Sequence, residues 1–248
     1  MEARSFKDKR VTVMGLGLFG GGAGLARFLV SQGARVVVTD LKDPSQLSHS
    51  LASLKGLPIE FHLGGHHEED FRDVDMVMVN PAVPKDSAFL GMAREKGVRL
   101  ETEMNLFFKL CPAPIIGITG SKGKSTTTAL LGEMLSRRVK TWVGGNIGRG
   151  YSLLEYIDKI TPQHLVVLEL SSFQLEDLRE VGMSPHLSIV TNITNNHLDR
   201  HKSLEDYIEA KKTIIHYQGP EDFAVLNYDD PELRRWSGAT HASVLWFS

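Results

Sequence analysis

Cysteine is nearly missing from this 248-residue chain: Cys111 stands alone, so no disulfide can close within it. A lone thiol fits a reducing compartment, and the cytoplasm is the expected location. Long apolar runs are missing as well. The first, Val11–Met14, is broken at once by Gly15, Gly17 and Gly20–Gly22, too soon for a signal segment or a membrane span. Neither sign of charge prevails. Lys and Arg number 28 against 30 Asp and Glu, and the balance is 14 to 14 up to Cys111 and 14 to 16 beyond it. Without a basic half, nucleic acid is not an expected partner. Repeats and low-complexity tracts are also absent. What remains, 42% apolar and 23% charged residues, is an ordinary globular balance, and the length suits two domains of about 100–200 residues or fewer.

Short β-branched runs recur along the chain: Val11–Met14, Val36–Thr39, Met76–Asn80, Ile115–Thr119, Thr141–Val143, Leu165–Leu170, Leu187–Asn192, Phe223–Asn227 and Val244–Phe247. Most are continuously apolar, the pattern of strands covered on both faces in a parallel sheet. Helical patterns separate them at Ala23–Gln32, Ser87–Lys96, Ser125–Arg137, Leu153–Lys159 and Leu204–His216. The alternation predicts an α/β, doubly wound, mostly parallel architecture. Pro112 and Pro114 follow a helix at Glu103–Leu110 and place the boundary between domains 1–111 and 112–248.

Two glycine turns follow predicted strands. Gly15-Leu16-Gly17-Leu18-Phe19-Gly20 has G-x-G-x-x-G spacing and opens a helix, with Asp40 twenty residues later. Such a turn brings backbone N–H groups and a positive helix terminus to a pyrophosphate, and an acidic residue can hold a ribose. NAD, another nucleotide diphosphate such as UDP, and a tight packing turn without ligand all remain open on these residues. The second turn, Gly120-Ser121-Lys122-Gly123-Lys124-Ser125-Thr126, ends like a P-loop, although Ile118 stands where the strict motif has its first glycine. Lysine gains nothing from packing there. Its expected task is to reach the β- and γ-phosphates of a nucleoside triphosphate, with Ser125 facing Mg²⁺.

Glu169 closes an apolar strand, where a carboxylate is costly unless it is paired, caps a helix or meets a metal. His197, beside Asn196 and Asp199, follows another strand end, the edge at which open α/β sheets bind ligands. His62, His66 and His67 around Gly64-Gly65 invite a metal reading, but a solvated loop is the expectation. Met76 and Met78 read as core, and Tyr207 and Ile208 as helix packing.

Together, Gly117–Thr126, Gly144-Gly145-Asn146-Ile147-Gly148, Glu169–Glu176, Asn196–Arg200 and Tyr207–Lys211 resemble the Mur ligases in order and spacing. These are ATP-dependent amide-forming enzymes of peptidoglycan synthesis. Glu169–Leu175 and Asn80–Pro84 resemble the branch that adds D-glutamate to UDP-N-acetylmuramoyl-L-alanine. The resemblance implies a Rossmann-like domain whose glycine turn holds UDP rather than NAD, through Leu16, Gly17, Leu18, Phe19, Gly20, Asp40, Leu41, Lys42, Asn80 and Pro81. A P-loop-type ATP-binding domain would follow. It would bind ATP at Gly120–Thr126, and Lys124, Asn146, Glu169, His197 and Lys211 would serve catalysis. Two Mg²⁺ ions are implied, one on Ser125 or Thr126 and Glu169, the other on His197 and a Lys211 carbamylated by CO₂. Lys122 stands where these ligases commonly carry Asn, and Asn80 where Ser is expected. The resemblance further implies a monomer without membrane insertion, and a third domain beyond Ser248 without which ligation would not be completed.

Overall fold

A computed structural model describes residues 6–18, 20–147, 152–194 and 203–248. The chain forms two compact units, Met1–Leu110 with Gly148–Asp158, and Cys111–Ile147 with Lys159–Ser248.

The first unit alternates strand and helix throughout: β1 (Arg10–Met14), α1 (Gly21–Ser31), β2 (Arg35–Asp40), α2 (Ser48–Ala52), β3 (Ile59–Leu63), α3 (Glu69–Arg72), β4 (Met76–Val79), α4 (Ala88–Glu95), β5 (Arg99–Glu101) and α5 (Glu103–Leu110). The sheet runs β3-β2-β1-β4-β5, and each pairing is parallel. β1 sits at its centre with Val11, Val13 and Met14 buried, as its unbroken apolar run requires. The edge strands β3 and β5 escape the sequence pattern because neither writes an apolar run, unlike the edges of the second sheet. β3 reads Ile-Glu-Phe-His-Leu and is nowhere fully buried, and β5 is three residues long. The segment Leu153–Lys159 is a 3-10 helix rather than an α-helix, and its residues through Asp158 belong with this unit although they follow Pro114. Arg27 of α1 holds it there through both Glu155 oxygens, at 2.6 and 3.0 Å.

The second unit follows the same rule: β6 (Ile115–Thr119), α6 (Lys124–Ser136), β7 (Thr141–Gly145), β8 (Leu165–Glu169), α7 (Ser172–Val181), β9 (Leu187–Val190), α8 (Leu204–His216), β10 (Phe223–Asn227), α9 (Pro231–Arg235) and β11 (Ser243–Phe247). Its parallel sheet runs β11-β10-β9-β6-β8-β7. Every residue of β6 is buried. The chain leaves β6 through α6 for β7 on the β8 side of the sheet and later crosses from β8 through α7 to β9 on the other side, which makes the carboxyl end of β6 the topological switch point. That end carries the P-loop.

Candidate nucleotide and substrate sites

In the first unit, the glycine turn leaves β1 with Gly15, Gly17 and Gly20 all in the left-handed region, φ 89°, 70° and 83°. Two of these have visible reasons. A Cβ on Gly15 would meet Asn80 Cβ at 2.9 Å, and Gly20 is the N-cap of α1 without a side-chain cap. Asp40, at the end of β2, is 5% exposed. Its Oδ2 accepts from the Gly17 N–H at 3.2 Å and its Oδ1 from the Lys42 N–H at 2.9 Å. Asp40 is therefore a brace for the turn. Asn80 closes the other side: its Nδ2 donates to the Gly15 carbonyl (3.2 Å) and its Oδ1 accepts from the Ala82 N–H (2.9 Å). Leu16 is wholly buried, so only its main chain could face a ligand, whereas Leu18 and Leu41 are exposed. Pro81 and Lys42 flank these groups at the same edge of the sheet, half-buried. Phe19 lies outside the described residues.

The histidine stretch departs from the solvated loop expected of it. His62 lies on β3, with Nδ1 2.8 Å from Asp70 Oδ2 and Nε2 3.1 Å from Glu60 Oε1. Asp70 pushes the His62 pKa up. His66 packs edge-on against Phe71 and Phe89, with Nδ1 2.7 Å from Thr39 Oγ1, and burial lowers its pKa. The strand pattern missed β3 and with it the ordering of these rings.

In the second unit, Gly120 (φ 146°) and Gly123 (φ 83°) bend the loop from β6 into α6, whose N-cap is Gly123. Ser125 and Thr126 are exposed on the first turn of α6, as are Lys122 and Gly123 before it. A helix start offering unpaired N–H groups and hydroxyls is the expected form of a phosphate and Mg²⁺ cradle. Lys124 reaches back over the loop, Nζ 3.2 Å from the Ser121 carbonyl.

The loop is held from below. Ser121 is buried, its N–H donating to the Asn192 carbonyl (2.8 Å) and its hydroxyl lying 3.0 Å from the Tyr207 hydroxyl. Asn192 grips the Lys122 residue at both ends, Oδ1 accepting from its N–H (2.9 Å) and Nδ2 donating to its carbonyl (3.1 Å). Thr191 Oγ1 donates to the same carbonyl at 2.6 Å. The sequence reading missed Thr119, Thr191 and Asn192, and took Tyr207 for packing alone. Tyr207 is buried, yet its hydroxyl is one of the anchors of the loop. The ends of β6 and β9 were the available signal, since both strands stop where ligands bind.

Lys211 on α8 is 2% exposed. Its Nζ donates to Thr119 Oγ1 (3.0 Å) and to the Gly120 carbonyl (3.1 Å). Burial, reinforced by the Lys124 charge and opposed by Glu169, pulls its pKa down to about 7. Glu169, ending β8, is also 2% exposed, and its Oε1 accepts from Asn146 Nδ2 at 3.2 Å while Oε2 has no hydrogen-bond partner among the described residues. It does not cap α7; Ser171 does, in a reciprocal capping box with Gln174. A buried carboxylate oxygen left bare costs free energy unless a cation meets it. The donor set at this edge, a carboxylate with Ser and Thr hydroxyls, is hard oxygen chemistry and fits Mg²⁺. His197 and its neighbours Asn196–Arg200 lie outside the described residues, as does Gly148.

A parallel α/β sheet ending in a Gly-Lys-Ser-Thr helix start, with a buried acid on the neighbouring strand, defines a P-loop-type nucleotide-binding unit. Comparison with known proteins gives the family. The Mur ligase middle domain matches residues 118–248, and the Mur ligase MurD-like N-terminal domain matches residues 9–101. The UDP-N-acetylmuramoylalanine–D-glutamate ligase of Roseiflexus sp. (strain RS-1) is 50% identical over 243 residues, 97% of this chain and 52% of that protein. The ligase of the same name from Clostridioides difficile (strain 630) is 42% identical over 244 residues, 98% of this chain and 53% of that protein. In fold, the chain is similar to a UDP-N-acetylmuramate:L-alanyl-gamma-D-glutamyl-meso-diaminopimelate ligase from Neisseria meningitides, with TM-score 0.67 at 16% identity over 97% of this chain and 78% of that one. The chain belongs to the Mur ligase family. It spans about half the length of the curated relatives it matches.

Proposed function

We propose that this chain carries the UDP-substrate and ATP sites of a ligase that joins D-glutamate to UDP-N-acetylmuramoyl-L-alanine, acting in the cytoplasm as a monomer. The observation that carries the reading is the P-loop edge itself: Lys124 above the loop, with a Glu169 oxygen at the end of β8 that has no partner among the described residues. In the first unit, the main chain of Leu16–Gly20, braced by Asp40 and Asn80, would take the pyrophosphate, with Leu41, Lys42 and Pro81 around the nucleotide.

A carboxylate is a poor electrophile, so the alanyl carboxylate must be activated. One of its oxygens attacks the ATP γ-phosphorus, the bond to the β-bridging oxygen breaks, and ADP leaves behind an acyl phosphate. The D-glutamate nitrogen then attacks the acyl carbon, phosphate departs, and the nitrogen gives up its proton. Two anions meet in the first step, so cations must offset their repulsion. The backbone of Gly120–Gly123 cradles the phosphates, and Lys124 neutralises charge on the β/γ side. Asn146 donates to Glu169, and would orient that carboxylate and approach the substrate or the phosphates. Mg²⁺, when bound, supplies charge neutralisation at the transferring phosphoryl. Ser125 or Thr126 with Glu169 would hold one ion, and His197 with Lys211 a second. For the latter role the neutral Lys211 amine adds to CO₂, forming an N–C bond and releasing a proton, which leaves an anionic carbamate. A pKa near 7 makes the neutral amine available.

Titration calorimetry with UDP-N-acetylmuramoyl-L-alanine and with NADH tests the reading. The UDP sugar should bind and NADH should not. Quenching or enhancement of NADH fluorescence at micromolar concentration, with no heat from the UDP sugar, would restore the dinucleotide reading of Gly15–Gly20 and remove this one.

A further inference from the structure

We propose that His62, His67 and Asp70 form a site for one divalent transition-metal ion, with zinc the best match to the donor set. The proposal stands apart from the ligase reading, since none of the three serves it.

The three residues span β3, the turn after it and α3, and their donor atoms all lie within 4.8 Å of one another. Asp70 is 5% exposed, and its two oxygens stand 2.9 and 2.8 Å from His62 Nδ1. The His67 ring stacks on that of His62, centroids 4.5 Å apart. Two imidazoles and a carboxylate suit Zn²⁺ or Co²⁺ far better than Mg²⁺ or Ca²⁺, with water completing a tetrahedron. Around a zinc ion with bonds of about 2.0–2.1 Å, neighbouring donors sit ~3.4 Å apart. His62 and Asp70, now a hydrogen-bonded pair at 2.8–2.9 Å, would part by ~0.5 Å once the shared proton gives way to the ion, and rotation of the exposed His67 side chain can close the remainder.

A second observation supports the assignment. The other nitrogen of His62, Nε2, lies 3.1 Å from Glu60 Oε1. A carboxylate on the far nitrogen is the arrangement that fixes the tautomer and ring plane of a metal-bound histidine. Asp70 is fixed too, since its carbonyl accepts from the buried Thr12 hydroxyl of β1 at 2.6 Å. His66 takes no part, because its ring faces Phe71 and Phe89.

The ion would clip the turn after β3. That turn hangs on β2: the Gly64 and Gly65 N–H groups donate to the Asp40 carbonyl at 3.0 and 3.2 Å, and Thr39 Oγ1 donates to the Gly65 carbonyl at 3.1 Å. Asp40 in turn braces Gly17. Metal occupancy is thereby linked to the stiffness of the glycine turn.

The test is titration of the metal-stripped chain with Zn²⁺ by calorimetry, and with Co²⁺ by visible absorption. One equivalent of Zn²⁺ should bind and survive Glu169→Gln, which removes the hard-oxygen site. His67→Ala, at an exposed turn position, should weaken that equivalent by ~10-fold or more while leaving the circular dichroism unchanged. His67→Asn provides the same reading if the alanine variant folds poorly, and His241→Ala should change nothing. Co²⁺ should give intense tetrahedral bands. No saturable Zn²⁺ binding, binding indifferent to both His67 variants, or a weak octahedral Co²⁺ spectrum would each overturn the proposal.

Discussion

Lys211 Nζ lies 3.1 Å from the Gly120 carbonyl oxygen, fastening α8 to the floor of the P-loop across ninety-one residues of sequence. The same burial that makes this contact dry draws the Lys211 pKa down to about 7 from 10.5. Between those two values the unfolded chain binds a proton that the folded chain does not. Stability from this group is therefore fully present above about 10.5 and lost as pH falls through about 7. Urea unfolding at several pH values should show the wild type gaining stability on Lys211→Met as pH rises through that window. Parallel curves for the two proteins would place the Lys211 amine in water.

A neutral amine at that position should also react with CO₂. In ¹³C-bicarbonate, the wild type should show a carbamate carbon resonance that Lys211→Arg lacks, and a full-length ligase bearing Lys211→Arg should lose most of its turnover. An arginine variant with near-normal turnover would leave Lys211 as a brace for Gly120 and nothing more.

Lys124 is half-buried, and its Nζ donates to the Ser121 carbonyl at 3.2 Å, a contact within the loop itself. Lys124→Ala should therefore weaken ATP binding by about 10- to 100-fold, the worth of one strong charged contact, with the melting temperature nearly unchanged. A protein that melts many degrees lower yet keeps its nucleotide affinity would make the lysine structural.

The centre of each sheet was legible because burial on both faces writes an unbroken apolar run, as in Ile115–Thr119 and Val11–Met14. β3, whose apolar residues are interrupted by Glu60 and His62, and the three-residue β5 carry no such mark, so both were missed, and with β3 the ordered histidines. The α7 helix was missed although its Ser171/Gln174 spacing is a capping box that a sequence can show. Glu169 was readable as a carboxylate misplaced at a buried strand end. The end of β9 could have flagged Asn192 as lying at the ligand edge, but the partners of the P-loop anchors were not readable, because Tyr207 and Asn192 meet Ser121 and Lys122 from 86 and 70 residues away. Only the fold brings them there.

Glu103, at the start of α5, carries its carboxyl beside Ser152 and Glu155, where desolvation and the Glu155 charge push its pKa to about 7 against the Ser152 hydrogen bond. Its folded pKa is raised, so the stability it confers is full below about 4.5 and gone as pH rises through about 7. Glu103→Gln removes the ionisation and keeps the shape. Thermal melts should show the variant gaining on the wild type as pH rises from about 4.5 to about 7. If the difference between the two proteins does not change with pH, the carboxyl is hydrated and the reading of this cluster fails.

Asp40 offers the sharpest separation between the two units. Its two oxygens accept from the N–H groups of Gly17 and Lys42, both in the first unit, whereas the P-loop belongs to the second. An asparagine of the same shape has one acceptor oxygen, so Asp40→Asn leaves one of these donors facing an amide NH₂. An unsatisfied buried donor costs about 1–3 kcal/mol, enough to loosen the turn without unfolding the sheet. Calorimetry on the Asp40→Asn chain should show UDP-N-acetylmuramoyl-L-alanine affinity falling by roughly 5- to 100-fold, with ATP affinity as in the wild type. The Lys124→Ala chain should show the converse pattern. Equal loss of both ligands in either variant would mean that the glycine turn and the P-loop do not act as separate sites. Unchanged UDP-sugar affinity in Asp40→Asn would mean that the glycine turn is not where that ligand binds.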